Sequence, residues 1–258
     1  NFEAGLRLTS GEAVGAFGGD PISGNTTLRD NASKKFVFLD LAYGKWTFIN
    51  NKAFTGGLTI GKMENPFVFS DLMFDADYTP EGGGLNLVYN LSDVHALKLN
   101  GGAFLLDERA AHEQDPFMYG GQVRWDAKWG QRLTTSVGAA MLVIANEENL
   151  TSANVPNVNA GNTRDPVTTA PTVHFNPVVV DASITYSFEK FAFYSGPFPV
   201  RLFGDYIDTL RADERNVGYQ GGITFGNIPD FAEVLDDDGA DTGMRMGFTV
   251  GGFATKMF

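Results

Sequence analysis

The side chains able to do chemistry in this chain stand mostly at every second position. Gln122, Arg124, Asp126 and Lys128 alternate with apolar residues, and Lys98, Asp181, Arg201, Asp205, Arg245 and Arg7 occupy equivalent places in similar segments. Brought to one surface, such guanidinium, ammonium, carboxylate and amide groups line a water-filled space. Mixed charges there set up a transverse field that orients polar solutes and sets ion preference. The solvent face of a soluble antiparallel sheet reads the same way. A second group, Glu64, Asp71, Asp75, Asp77 and Glu81, is interleaved with Phe67, Phe69, Phe74 and Tyr78 in a stretch without strand character. A loop of this composition either folds into a pore and narrows it, its acidic groups then favouring cations, or packs on a rim.

Covalent and metal chemistry find little support. His95, His112 and His174 lie in or beside predicted loops, far apart in sequence. His112 and Glu113 neighbour Asp107, Glu108 and Asp115, but no serine accompanies them. No catalytic residue and no enzymatic activity are expected. In the run Asp236 to Asp241 a calcium loop would need a ligand where Ala240 stands, and no bidentate Glu follows at the right offset. A solvated acidic loop is expected there, with no metal and no cofactor. The chain lacks cysteine, which excludes disulfides, thiolate zinc sites and a cysteine nucleophile. A net charge of −12 and a pI near 4.6 argue against a nucleic-acid partner.

The elements that must position the charged groups are strands. Tyr119, Gly121, Val123, Trp125, Ala127 and Trp129 fall on one face, with Gln122, Arg124, Asp126 and Lys128 on the other, a period of two that no amphipathic helix produces. The same alternation predicts strands over Leu85 to Leu91, Leu97 to Ala103, Leu133 to Val143, Val178 to Phe188, Val200 to Tyr206, Val217 to Phe225 and Met244 to Val250. It is less clean over Phe2 to Thr9, Phe36 to Phe48 and Leu58 to Met63. About eleven strands of roughly 8–13 residues result, near the ~9–11 of a membrane-crossing strand and longer than the ~5–6 usual in soluble sheets.

Connections sort by length. Asn50 to Gly57, Ser92 to His95 and Gly130 to Arg132 are short, and Ser10 to Lys35, Glu64 to Gly83, Asp107 to Pro116 and Glu147 to Pro177 are long. Short and long alternate through the first eight strands, as in an up-and-down barrel with tight turns on one side and long loops on the other. A mean hydropathy of −0.12 agrees, because only alternate residues of such a wall face lipid. Aromatics make up 13% of the chain, with 22 Phe, in keeping with interfacial girdles.

Lys34-Lys35, Leu39-Asp40-Leu41-Ala42-Tyr43, Gly61-Lys62-Met63-Glu64-Asn65-Pro66-Phe67, Ser70-Asp71-Leu72, Asp75, Asp77 and Pro80-Glu81-Gly82 occur in this order. The order resembles a family of Gram-negative outer-membrane proteins known as "putative porins", and Gly218-Tyr219-Gln220 with Gly222 is in keeping with its later strands. The resemblance implies a single-chain barrel in the outer membrane that passes ions or small hydrophilic solutes. It also implies contact with outer-membrane lipid, and a homo-oligomer or a complex with other envelope proteins is compatible with it.

The expectation is therefore an all-β, antiparallel up-and-down transmembrane β-barrel. The 258 residues form one barrel domain, incomplete at its N-terminus and open to extension at its C-terminus, because an odd count near eleven does not close a usual bacterial barrel. A ring of ~16–18 strands would leave a channel. The pore-lining set is Arg7, Lys98, Gln122, Arg124, Asp126, Lys128, Asp181, Arg201, Asp205 and Arg245. Two alternatives stand beside it. One is a structural barrel holding a partner protein against its polar-face glycines, Gly102, Gly120, Gly138, Gly218 and Gly222. The other is a soluble β-sandwich binding domain.

Overall fold

A computed structural model describes residues 1–11, 34–70, 72–74, 78–109, 114–151, 164–190, 196–212, 216–226 and 248–250. The strands are β1 (Phe2–Gly11), β2 (Phe36–Asn50), β3 (Phe54–Lys62), β4 (Glu81–Asn90), β5 (His95–Leu105), β6 (Phe117–Lys128), β7 (Leu133–Ala145), β8 (Pro177–Phe188), β9 (Phe198–Thr209), β10 (Val217–Phe225) and β11 (Phe248–Val250). They form a single sheet in chain order, every neighbour antiparallel. The expected all-β up-and-down architecture is what the chain adopts. Among the described residues the sheet does not close on itself, and no second sheet packs on it as a sandwich requires.

The period of two decides the register. Across seven strands Leu87, Leu99, Val123, Ala139, Val180, Tyr206 and Tyr219 are successive cross-strand partners on one face. Leu99, Val123, Val180, Tyr206 and Tyr219 are all exposed on that face. A slip of one residue would turn the whole row over. Trp46, Trp125 and Trp129 join the apolar face towards the short-turn end. Phe2 stacks on Trp46 at 5.9 Å, and Trp125 meets Trp129 edge-on at 6.2 Å. From Tyr119 of β6 to Trp129 just past its end are ten residue steps, which at ~3.3 Å each and a tilt of ~40° cover ~25 Å, the height of a lipid-facing band between girdles.

Two strand starts differ from the sequence reading by four residues each. β3 begins at Phe54, not Leu58, because the Asn51 side chain accepts the Ala53 and Phe54 N–H groups (3.0 and 2.9 Å) and closes the turn within 51–53. β4 begins at Glu81 and takes in the triplet Gly82-Gly83-Gly84, which resembles a loop in sequence. Gly82 has φ +150°, and a Cβ there would lie 2.1 Å from the Ala103 carbonyl oxygen. Of the expected strand from Met244 to Val250, Phe248–Val250 is described as β11, and Met244 to Gly247, Arg245 among them, lie outside the described residues.

Candidate functional site: a loop held on the polar face

The polar face carries the ionic groups in register. Val88, Lys98, Arg124, Gly138, Asp181, Asp205 and Gln220 are successive cross-strand partners on β4 to β10. One step towards the short turns run Asp126, Ser136 and Ser183, and beyond them Lys128, Thr134, Thr185, Arg201 and Thr224. Nine of the ten residues expected to line a pore, Arg7 on β1 among them, thus share one face; the tenth, Arg245, lies outside the described residues.

Their charges are locally matched. Lys98 Nζ is 2.9 Å from Asp126, whose carboxylate also accepts the Ser136 hydroxyl. The Arg124 guanidinium donates to both oxygens of Asp181 (2.9 Å each) and to Ser136 Oγ (2.7 Å). It crosses β7 to do so, and Gly138 makes the crossing available: a Cβ there would be 2.2 Å from Asp181 Oδ2. Asp181 and Asp205 are directly opposed across β8 and β9, a pairing of like charges that destabilises a sheet. Arg124 offsets one of them, while Gln220 Nε2 (3.0 Å) and the Ser70 hydroxyl hydrogen-bond the other.

The connection between β3 and β4 lies on this face. Met63 and Phe67 pack with Phe104, Met118 and Leu142 into the chief buried apolar cluster, joined at its margin by Phe69, Met73, Phe74 and Tyr78. Phe67 sits over the cross-strand glycine pair Gly102 and Gly120; a Cβ on Gly120 would come within 2.6 Å of its ring. Burial of such a ring stabilises by about 1.5–3 kcal/mol. Gly61, with φ +121° and the Ala42 carbonyl oxygen 2.3 Å from any Cβ, turns the chain out of β3 into the loop. Lys62 Nζ donates to the Thr79 carbonyl (2.9 Å), and Met63 N–H to that of Pro80 (2.9 Å), closing the loop's base. Burial, with Glu81 adding to it, pushes the Tyr78 phenol up to about 12, so it stays neutral.

The loop reaches far. Glu64 pairs with Arg7 of β1, which also holds Asp40, and the Leu72 side chain comes to 4.0 Å from where a Cβ on Gly218 of β10 would stand. On a flat sheet nine strand spacings would separate β1 from β10 by ~43 Å. From Glu64 to Leu72 the eight residue steps span at most ~29 Å when fully extended, and they are not fully extended, since Met73 N–H turns back to the Ser70 carbonyl (3.0 Å). A single short segment thus meets β1, β6 and β10, a reach that a sheet concave on its polar face allows.

This geometry sorts the sequence expectations. Of the loop set, Glu64 holds Arg7 and Glu81 opens β4, while Asp71, Asp75 and Asp77 lie outside the described residues. Gln122 and Arg124 stand on the expected face, but the loop covers them: they are 1% and 5% exposed, so they meet the loop and not open water. Gly102, Gly120 and Gly218, read as room for a partner, receive the chain's own Phe67 and Leu72. His95 stacks on Trp125 at 5.7 Å among the girdle aromatics, and His174 pairs with Glu147 in the β7–β8 connection. His112 and the Asp236–Asp241 run lie outside the described residues, and among the described ones no cluster of His, Asp and Glu could hold a metal. Sequence reasoning missed Asn86 and Asn100 as functional residues, although both fall at polar positions of their strands.

A curved, single-layer sheet, apolar outside and charged within, with an inward-folded loop, defines the class of β-barrel wall proteins. The chain belongs to the family described as "Putative porin", whose model matches residues 1–178. No curated protein and no solved structure matches it.

Proposed function

We propose that this chain forms the wall of an outer-membrane porin, through whose aqueous lumen ions or small hydrophilic solutes diffuse passively, without cofactor and without catalysis. The observation that carries the reading is the two-faced register. The apolar row is exposed from Leu99 to Tyr219, whereas the next row on the opposite face runs through Lys98, Arg124, Asp181 and Asp205. Water-soluble monomers rarely leave so broad an apolar surface uncovered, whereas lipid is a suitable partner for it. Hydrocarbon also requires every backbone N–H and C=O to be paired, so the sheet functions within a closed ring, its edges met by strand pairing.

The loop between β3 and β4 is the constriction in this reading. Solutes pass between it and the opposite wall, beside the Lys98–Asp126 pair and the row containing Lys128 and Arg201. Opposed charges across a narrow passage orient a dipolar solute and slow ions of either sign unequally. Membership of the family supports the outer membrane as the location. Planar-bilayer recording tests the proposal: the purified protein should give discrete conductance steps, and their absence would overturn it.

A further inference from the structure

Beneath the loop an amide ladder crosses three strands. Asn86, Asn100 and Gln122 are direct cross-strand partners on β4, β5 and β6. Asn86 Nδ2 donates to Asn100 Oδ1 (2.9 Å), and Asn100 Nδ2 donates to Gln122 Oε1 (2.9 Å). The ladder ends on the loop backbone. Gln122 Oε1 accepts the Val68 N–H (2.9 Å), and Gln122 Nε2 donates to the Val68 carbonyl (2.7 Å). One side chain thus meets both polar groups of one loop residue, as a neighbouring strand would, and Arg124 Nη1 is a longer second donor to the same carbonyl (3.3 Å). The orientation of the amide is forced, because the Val68 N–H requires an acceptor and its C=O a donor. Asn86 Nδ2 also reaches the carbonyl of Pro66 (3.3 Å), a residue with no N–H to offer in return.

We propose that the ladder Asn86–Asn100–Gln122 positions the constriction, and that Gln122 is the residue that sets how far the loop stands from the wall. The proposal rests on the pore reading above. Phe67 gives the loop its adhesion, but an apolar contact is non-directional and lets the loop slide; the two-point amide bond fixes its height and register. Only glutamine meets both demands here. Glutamate at this position has no donor for the Val68 carbonyl, alanine has neither group, and asparagine is one methylene short.

Gln122→Ala and Gln122→Glu are compared with the native protein in planar bilayers, with folding of each variant checked by its heat-modifiable mobility on gels. Both should fold, conduct several-fold more current and admit larger solutes. A second readout does not depend on conduction. The chain contains no cysteine, so a thiol introduced by Val68→Cys can be labelled alone by a membrane-impermeant methanethiosulfonate. Labelling should be slow with Gln122 present and much faster after Gln122→Ala. Native conductance in both variants, or labelling that does not accelerate, overturns the proposal. If the native protein carries no current while labelling accelerates, the pore reading fails and the positioning role stands.

Discussion

Gly138→Ala is a substitution whose sign distinguishes the architecture described above from a generic strand. Glycine inside a strand is ordinarily a weakness, and alanine in its place stabilises by about 0.5–1 kcal/mol. At Gly138 the new methyl carbon would stand 2.2 Å from Asp181 Oδ2 and 2.6 Å from Arg124 Nη1, where real contacts are not seen below 3.0 Å. The carboxylate and guanidinium must separate. The two 2.9 Å hydrogen bonds between them are then lost or stretched. A hydrogen bond to a charged group contributes about 1.5–3 kcal/mol, and removing one partner of a buried pair outright costs about 3–5 kcal/mol. Separation without removal costs less, and Asp181 then faces Asp205 with its countercharge displaced. Set against the gain from alanine, a net loss of about 2 kcal/mol is expected, close to thirtyfold in the folding equilibrium. The assay is urea unfolding from lipid vesicles followed by fluorescence of the three tryptophans. Gly121→Ala on the neighbouring strand β6 is the control, since a Cβ there meets nothing within 4 Å; it should be neutral or stabilising. If Gly138→Ala matches the control, the ion pair does not cross β7 at this glycine and the charge register is wrong.

Two further outcomes follow from other parts of the molecule. Val123, 53% exposed between Tyr119 and Trp129, should face lipid near mid-height; Val123→Lys should cost about 2–4 kcal/mol in vesicles, whereas on a solvated sheet the same change would stay within about 0.5 kcal/mol, so urea midpoints separate the two. In the β7–β8 connection Asp165 accepts the Val167 and Thr168 N–H groups (2.9 and 2.7 Å), and the Thr168 N–H foremost holds its carboxyl below the usual carboxylate range. A depressed folded value means that this contribution is present above the ordinary carboxylate pKa and is lost as pH falls through the lowered one. Protection of the Val167 and Thr168 amides relative to their intrinsic exchange should fall in acid, and Asp165→Asn should abolish that pH dependence.

The strands were legible because alternation is a local property. Tyr119 to Trp129 declares both faces of β6 within one segment, and the pairing of β6 with β7 follows from the short turn between them and the demand that like faces align. The ionic register was half legible. Lys98, Arg124, Asp181 and Asp205 could be assigned to one face, but that Arg124 reaches Asp181 depends on two ladders and on the missing side chain of Gly138. The loop was least legible. Phe104, Met118 and Leu142 occupy polar-face positions, which strict alternation treats as exceptions, and their reason is Phe67, far away in sequence. Gly82 and Gly83 read as the end of a long loop and belong to a strand, in which Gly82 and Gly84 carry no side chain where β5 and the loop's base come close: a Cβ on Gly82 would meet the Ala103 carbonyl oxygen at 2.1 Å and one on Gly84 would meet Met63 Sδ at 3.0 Å. Asn86 and Asn100 fall at polar positions of their strands and stand outside the expected pore-lining set, and only the placement of Val68 gives them a task.

The central claim, that the charged face of this sheet borders a water-filled passage through a membrane, is tested most directly by single-channel recording of the purified protein across a planar bilayer. Stepwise conductance that scales with bulk salt, and whose ion preference shifts when Lys128 and Arg201 are changed to glutamine, is the predicted result. A membrane that stays electrically silent while the protein inserts and folds would contradict it.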